Sequence, residues 1–382
     1  MLRIEDDMSV KTVNRTKHPR EGFLDNQGGG FARKRVAGLD IMRISLALLI
    51  YMFHSWMHFG CSYSYLTDFV SVGAIAMTGF FLLSGYSLRL VYGAQNLMEK
   101  HNIGRFYFKR ILGIIPLYYF FSLLFILLRG KESIVDNVLL FPIEVLGLQT
   151  TFTSLFNVTH NGGTWFISCI ILAYLIYPFL QTISQQIGHR SKVILLILLV
   201  FLDVWAAFIS HRFLTAGIYD NPFYRILEFT CGLLVADINL SYDNKFLRLL
   251  RSWSVLVVST IVLVAGVSII QHYKNVQDYM LLNILVLPCF AIMLFPLGTL
   301  RMPHLDRSKT LGYLGKISYA FFLVQYFAWE VGKWGVNIIG YNHNWTRILI
   351  TFAYCVVASI IAYELIQKPI ENFVKSRFLL SK

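Results

Sequence analysis

The chain has 382 residues, of which 56% are hydrophobic and only 14% are charged. This composition excludes an ordinary soluble domain and is typical of a protein that spans a membrane several times. The formal net charge of +13 would suggest a nucleic acid partner in a soluble protein. Here the basic residues gather in alternate loops, so membrane topology explains the charge, and we expect no nucleic acid partner.

The chain opens with a polar segment of mixed charge, residues 1–37, which contains three glycines at 28–30. We interpret this segment as a flexible basic cytoplasmic arm; a solvated tail explains it more simply than contact with anionic lipid. The predicted membrane domain follows at residues 38–372. Residues 373–382 are predicted to form a cytoplasmic tail.

Ten apolar segments of about 17–23 residues have the length that an α-helix needs to cross the hydrocarbon core of a bilayer. We therefore predict an all-α integral membrane protein with about ten transmembrane helices. The segments are 38–59, 69–91, 106–128, 163–182, 193–211, 222–239, 253–271, 279–299, 311–332 and 346–366.

One further apolar segment, residues 138–152, is short and contains Pro142 and Glu144. If this segment does not cross, the Lys and Arg clusters of the loops fall on one side of the membrane, which the positive-inside rule identifies as the cytoplasm. If it crosses, every later cluster falls outside. We therefore predict a re-entrant or surface-lying segment on the outer face, with both chain termini in the cytoplasm.

The first predicted helix carries Arg43 and, eleven residues later, His54. At about 1.5 Å of rise per residue, these two side chains lie in opposite leaflets. The same estimate places Ser84, Gly85 and Arg110 at the level of Arg43, in an inner basic layer. A charge inside a membrane helix is costly, so such residues usually face a cavity or a partner.

Arg225, Glu228 and Trp165 fall near the depth of His54, in an outer layer. A carboxylate close to His54 would orient the imidazole and raise its basicity, as a general base for a hydroxyl requires. Two simpler interpretations stay open. His54 could be a core histidine hydrogen-bonded to a backbone carbonyl, and Arg225 with Glu228 could be an i,i+3 ion pair that only stabilises a helix end.

His54 and His58 share one helix face at the i,i+4 spacing of a zinc site. No Glu follows the first histidine and no third ligand is evident, so we expect no metal. Asp203, in the middle of an apolar segment, is the other costly charge, and an inner cation is the partner that we consider for it.

Seven segments of the chain, in order, resemble motifs of the acyltransferase family 3 of membrane acyltransferases, over about residues 38–372. Arg43 and His54 fit the family's R-x10-H pattern in the first helix. Two positions depart from the family: Gln325 stands where many members have a histidine, and Gln367 where a glutamate is common. The other six segments are GFFLLSGYSL, FYFKRILGIIPLYYF, TWFISCIILAYLIYPFL, PFYRILEFTCGLLVA, LGKISYAFFLVQYF and YELIQKPIENFV.

The resemblance implies an enzyme of the bacterial plasma membrane that moves an acyl group from cytoplasmic acyl-CoA to a hydroxyl of an extracytoplasmic polysaccharide or lipid-linked glycan. Acetyl is the expected acyl group, so acetyl-CoA is the expected donor. Each candidate residue then has an implied role: donor binding for Arg43, Arg110, Ser84 and Gly85; catalysis for His54, Glu228 and Arg225; and substrate binding for Trp165 and Tyr319.

Two other functions stay open at this point. A branch of the same family acylates small molecules, so a small-molecule acceptor is an alternative to a glycan. A transporter could use the intramembrane Arg, His and Glu residues as a substrate or proton path. The sequence contains no inverted repeat and no pair of Gly/Pro-broken helices at corresponding positions, and this disfavours the transporter.

Overall fold

The computed structural model describes residues 35–129, 134–152, 154–155, 157–213, 217–374 and 376. Every regular element in these ranges is helical, which confirms the all-α prediction. Short 3₁₀ turns precede α2, α3, α6 and α11, and one π-helical turn, Tyr363–Gln367, joins the last two helices. The helices are α1 (Ala37–Phe59), α2 (Thr67–Ser71), α3 (Ala76–Tyr92), α4 (Lys100–Arg129), α5 (Ile134–Val145), α6 (Trp165–Gln186), α7 (His189–Phe213), α8 (Pro222–Ser241), α9 (Lys245–Leu250), α10 (Trp253–Lys274), α11 (Asn283–Thr299), α12 (Pro303–Arg307), α13 (Lys309–Ile339), α14 (Asn344–Ala362) and α15 (Lys368–Val374).

Eight helical segments among the described residues are long and apolar enough to cross a membrane. The other two predicted spans, 222–239 and 311–332, are also helical and lie within α8 and α13. α8 differs because it carries three charged residues, Arg225, Glu228 and Asp237, all of them completely buried. The eight segments are Ala37–Phe59, Gly73–Tyr92, Lys100–Leu128, Gly162–Gln186, His189–Phe213, Trp253–Lys274, Tyr279–Thr299 and Asn344–Val374.

The ambiguous apolar segment forms α5, which has only 12 residues. At about 1.5 Å per residue, α5 is about 18 Å long and too short to cross a hydrocarbon core of about 30 Å. Only Leu140 and Glu144 of this helix are buried. The carbonyl oxygen of Glu144 accepts a hydrogen bond from the hydroxyl of Tyr118, which holds the end of α5 against α4.

Consecutive long helices run in opposite directions, so the bundle has two ends. We call the end where α1 begins the Arg43 end, and the end where α1 finishes the His54 end. At the Arg43 end, the backbone N–H of Ala37 donates a hydrogen bond of 3.0 Å to the carboxylate of Asp306, in α12. The positions along α1 therefore give the depth of any residue that packs against it.

α3 and α8 pack so closely that their backbones touch. A Cβ atom added to Gly85 would lie 1.9 Å from the carbonyl oxygen of Phe229, and one added to Gly232 would lie 1.9 Å from the carbonyl oxygen of Leu82. These glycines let two helices approach where larger side chains would hold them apart. Gly85, predicted to bind the donor, thus lies at a helix contact.

Replacing Gly232 with alanine is expected to lower the free energy of unfolding by about 1–3 kcal/mol, because the new methyl group overlaps the backbone of α3. Gly104→Ala in α4 is the matched control, since nothing lies within 4 Å of a Cβ added there. This second change should be neutral or slightly stabilising, because alanine favours helix more than glycine does. Thermal unfolding in one detergent compares the two variants, and equal melting temperatures would contradict the packing described.

Candidate functional site

A small cavity lies in the bundle at the level of Arg43. Its volume is about 230 Å³, and side chains of α1, α3, α4, α6 and α13 line it. We call it the Arg43 cavity. Its lining residues are Arg43, Met77, Phe80, Phe81, Ser84, Gly113, Ile114, Phe166, Ile170, Tyr174, Ser318, Tyr319 and Phe322.

Three residues predicted from the sequence, Arg43, Ser84 and Tyr319, meet in this cavity. Arg43 donates a hydrogen bond of 2.9 Å to Asp40 and keeps 31% of its side chain exposed. Tyr319 donates a hydrogen bond of 3.2 Å to the carbonyl oxygen of Ile114. Arg43 therefore presents a partly compensated positive charge beside hydroxyl groups in an otherwise apolar chamber.

Arg110 lies one side chain behind the wall of the Arg43 cavity. Its guanidinium carbon is 5.5 Å from the ring centre of Tyr92 and 5.9 Å from that of Tyr174, which lines the cavity. Its Nε is buried and has no hydrogen-bond partner among the described residues. Gly85, at the same depth as Ser84, faces α8 instead of the cavity.

A larger cavity, of about 1000 Å³, lies at the His54 end. We call it the His54 cavity. Aromatic rings form its wall, and amide, hydroxyl and carboxylate groups stand among them. Trp165 lines it, as its predicted depth requires. The lining residues are Ile50, Phe53, His54, Met57, His58, Ala74, Met77, Ser154, Asn157, Thr159, Gly162, Gly163, Trp165, Gly217, Tyr219, Asp220, Gln277, Asp278, Tyr279, Phe322 and Tyr326.

The imidazole of His54 is held in this cavity by ring contacts. Its ring centre lies 5.4 Å from that of His58, with the planes nearly parallel, and 5.9 Å from that of Tyr326. Its Nδ1 is buried and accepts or donates no hydrogen bond within the described part of the chain. The geometry therefore does not support the interpretation of His54 as a core histidine that is hydrogen-bonded to a backbone carbonyl. The ring can bind a group that enters the cavity.

Arg225 and Glu228 form the i,i+3 ion pair that the sequence left as one interpretation. Both side chains are completely buried, and Nη1 of Arg225 lies 2.8 Å from Oε1 of Glu228. Glu228 also accepts hydrogen bonds from Thr78, at 2.8 Å, and from Asn283, at 3.0 Å. The pair therefore connects α3, α8 and the start of α11, which is more than the stabilisation of one helix end.

The ion pair stands behind the wall of the His54 cavity, not in it. The guanidinium of Arg225 lies 4.7 Å from the ring centre of Tyr219 and 5.3 Å from that of Trp165, and both rings line the cavity. No hydrogen bond between described residues joins Glu228 to His54. The sequence predicted similar depths for His54 and the ion pair. In the structure, the rings of Tyr219 and Trp165 lie between the pair and the cavity that His54 lines.

Asp203 belongs to the same buried network. Asn283 donates a hydrogen bond of 2.9 Å to its carboxylate and another to Glu228. The inner cation considered from the sequence is therefore the wrong partner, since Asp203 packs near the His54 end. Asn283 was not identified from the sequence as a member of this network. The one feature that could have indicated it is the amide side chain within the apolar run LLNILVLPCF.

The two cavities meet at two apolar side chains. Met77 of α3 and Phe322 of α13 line both the Arg43 cavity and the His54 cavity. No sequence motif singles out either residue. They therefore mark the boundary between the cavity that holds Arg43 and the cavity that holds His54, and we call this boundary the constriction.

A third cavity, of about 390 Å³, adjoins the Arg43 cavity, since Gly113 and Tyr319 line both. It also contains two lysines, Lys316 and Lys368, and Gln367, which donates a hydrogen bond of 2.9 Å to the carbonyl oxygen of Leu112. Three adjoining chambers therefore follow one another from the Arg43 end towards His54.

Gln325, which replaces a histidine common in the resembling family, is buried beside the His54 cavity. Neither its amide nitrogen nor its amide oxygen has a hydrogen-bond partner among the described residues. Its neighbour Tyr326 lines the cavity. No group of three or more His, Cys, Asp or Glu side chains in the described ranges could hold a metal ion.

Comparison with known proteins identifies the chain at the level of its family. A sequence model of the acyltransferase family 3, described as an acyltransferase domain, matches residues 36–365. This range contains α1 to α14 and every residue that lines the Arg43 cavity and the His54 cavity. No curated protein and no solved structure matches the chain. Since the match covers well over half of its length, the chain belongs to the acyltransferase family 3 and is a membrane acyltransferase.

Proposed function

We propose that the protein transfers an acyl group, with acetyl as the expected one, from acyl-CoA bound at the Arg43 end to a hydroxyl of a glycan in the His54 cavity. The observation that carries this proposal is the contact between the two cavities at Met77 and Phe322. It places a cation-bearing cavity next to an imidazole that forms no hydrogen bond with the described residues. The glycan is a polysaccharide or a lipid-linked sugar, and a bacterial plasma membrane is the proposed location.

Ten helices would then cross the membrane, with both termini and the Arg43 end in the cytoplasm. The start of α4 at Lys100, the start of α7 with Arg190, and the short helix α9 with Arg248 all lie at the Arg43 end. This collection of basic residues supports a cytoplasmic assignment for that end. The short α5 supports a surface-lying segment at the other end.

A cysteine placed at Val158 tests this orientation. Val158 is 51% exposed in the loop before α6, and the five native cysteines are all buried. In intact cells, Val158→Cys is expected to react with a membrane-impermeant maleimide, while Arg248→Cys should react only after the membrane is opened. The reverse pattern would overturn the proposed direction of the bundle.

The donor would enter through the third cavity. Lys316 and Lys368 line it together with one acid, Glu371, and Lys368 also forms an ion pair with Glu364. Arg43 follows in the next cavity. The phosphates of CoA are anionic, so these cations suit the nucleotide end, and Arg110 behind Tyr174 adds to the same field. The narrow Arg43 cavity suits the slender pantetheine arm, whose thioester would reach the constriction.

Replacing Arg43 with alanine is expected to raise the KM for acetyl-CoA about tenfold or more, because one charge-assisted contact to the donor is lost. Arg105→Ala is the matched control, since Arg105 is exposed at the start of α4 and lines neither donor chamber. Initial rates of CoA release at varied acetyl-CoA measure both. An unchanged KM in Arg43→Ala would remove this residue from donor binding.

The His54 cavity suits a sugar. Sugar rings present C–H faces, which pack on aromatic side chains, and hydroxyl edges, which need hydrogen-bond partners. The cavity offers both, with Trp165 and Tyr279 among its rings and Asp220 and Asn157 among its polar groups. A glycan hydroxyl bound there could approach His54.

The chemistry requires one proton to change place. The acceptor oxygen forms an ester bond with the acyl carbon, the bond from that carbon to sulfur breaks, and the hydroxyl proton ends on the CoA thiol. His54 would take the proton from the hydroxyl as a general base. Arg225, behind the aromatic wall, would act on the site by positioning Tyr219 and Trp165.

Mass spectrometry of surface polysaccharide and lipid-linked glycans tests the proposed reaction. Cells that carry the gene should add the mass of one acyl group to one of these glycans, and cells that lack it should not. The size of the increment identifies the acyl group. If no glycan changes while membranes still release CoA from acetyl-CoA, the acceptor is a small molecule and the proposed acceptor class is wrong.

A further inference from the structure

A basic cleft opens at the His54 end, next to the His54 cavity. Its volume is about 380 Å³. Three basic side chains line it, those of His58, Lys333 and Arg347. The side-chain amides of Asn337 and Asn342 line it as well. None of the described residues that line it is an Asp or a Glu. This composition favours an anionic ligand over a neutral one.

Arg347 is held in place without losing its charge. Its Nε donates to Asn342 at 2.8 Å, and its Nη1 donates to the carbonyl oxygen of Phe59 at 3.0 Å. These acceptors are neutral, and no carboxylate pairs with Arg347 among the described residues. A fixed guanidinium with an uncompensated charge is pre-organised for a phosphate or a carboxylate.

Glu330, which does not line the cleft, neutralises Lys333 only weakly. Glu330 lies 3.5 Å from Nζ of Lys333, and both side chains are more than half exposed. Water screens such a pair, which contributes little binding energy. An anion in the cleft could therefore attract Lys333 as well as Arg347.

His58 connects the cleft with the His54 cavity. It lines both the cleft and the His54 cavity, and its ring lies against that of His54. A ligand that occupies the His54 cavity can therefore extend past His58 into the cleft. The group that reaches the cleft would belong to the same molecule as the hydroxyl that is acylated.

We infer that the acceptor is an anionic glycan, and that Arg347 and Lys333 bind its phosphate or carboxylate beside His58. This inference rests on the proposed function, because it assigns the His54 cavity to the acceptor. The anion is either the pyrophosphate of a lipid-linked sugar or the carboxylate of an acidic sugar. Both present oxygen atoms that a guanidinium binds in the same way.

Binding of three probes to the purified full-length protein tests the inference: inorganic pyrophosphate, glucuronate and neutral glucose. Saturating CoA is present throughout, so that the cations of the Arg43 end are already occupied. Each probe's apparent Kd follows from the concentration dependence of the melting temperature. Lys333→Gln is the decisive variant, because Arg347 also holds the end of α1. Lys274→Gln, an exposed lysine at the same end of the bundle outside the cleft, is the control.

We expect at least one anion to bind the wild-type protein more tightly than glucose. Lys333→Gln should raise the apparent Kd of that anion about threefold to tenfold, and Arg347→Gln should raise it further. Lys274→Gln should leave this Kd unchanged. Preference for pyrophosphate indicates a lipid-linked acceptor, and preference for glucuronate an acidic polymer. Equal affinities in wild type and Lys333→Gln, or no binding of either anion, would overturn the inference. CoA release from acetyl-CoA tests the proposed function separately, so either can fail alone.

Discussion

His54→Ala is expected to lower the rate of acyl transfer by about a hundredfold to ten-thousandfold, which is the usual contribution of a general base. The imidazole lines the large cavity, and its buried Nδ1 has no hydrogen-bond partner among the described residues. Because the ring lines the cavity and no hydrogen bond to a described residue engages it, the imidazole can accept a proton from a bound hydroxyl. Binding of CoA should not change, because the constriction at Met77 and Phe322 separates His54 from the donor chamber.

His272→Ala is the matched control for this experiment. His272 lies at the same end of the bundle, is 66% exposed and lines neither cavity. Both variants are measured for acyl transfer, for CoA affinity and for melting temperature. Full transfer by His54→Ala would remove His54 from the mechanism. Loss of transfer together with loss of folding would assign His54 a structural role.

Glu228→Ala is expected to destabilise the protein by about 3–5 kcal/mol, because it leaves the buried charge of Arg225 without its partner. The control is Glu330→Ala, which breaks another i,i+3 pair, with Lys333 in α13. In that pair both side chains are more than half exposed. Its loss should cost less than about 1 kcal/mol. Melting temperatures in one detergent compare the two, and similar values would contradict the buried role of Glu228.

A double variant separates stability from catalysis at this pair. Replacing both charges, as Arg225→Met with Glu228→Leu, removes the desolvation cost together with the attraction, so folding should recover in large part. The hydrogen bonds that Thr78 and Asn283 donate to Glu228 are still lost. If acyl transfer also recovers, the pair only positions the aromatic wall. A folded double variant that fails to transfer would instead support the catalytic role predicted from the sequence.

The depth of a residue could be predicted from the sequence, but its direction around the helix could not. Ser84 and Gly85 were placed at one level, and both are at that level. Successive residues of a helix point about 100° apart, so Ser84 faces the Arg43 cavity while Gly85 faces α8. For the same reason, Glu228 lies at the depth of His54 and still has an aromatic layer in between.

Hydrogen-bond partners that are distant in the chain could not be predicted from the sequence. Asp203 and Asn283 are 80 residues apart, and only the packing of α7, α8 and α11 brings them together. Depth alone suggested an inner cation for Asp203, and this was wrong. Arg43, Ser84 and Tyr319 come from three separate motifs and lie in one cavity. Tyr319 was predicted to bind the substrate, but it lies beside the two residues predicted to bind the donor, and the roles of all three stay predictions.

The constriction at Met77 and Phe322 also has a consequence for the ion permeability of the bundle. A continuous polar passage through the bundle would let protons and salts leak and would dissipate the gradients that a cell maintains. A thioether and a phenyl ring offer an ion nothing to replace its hydration shell, so dehydration at this point is prohibitive. An uncharged arm loses much less hydration free energy than an ion does. Under the proposed function, an acyl group could therefore pass the constriction while ions could not.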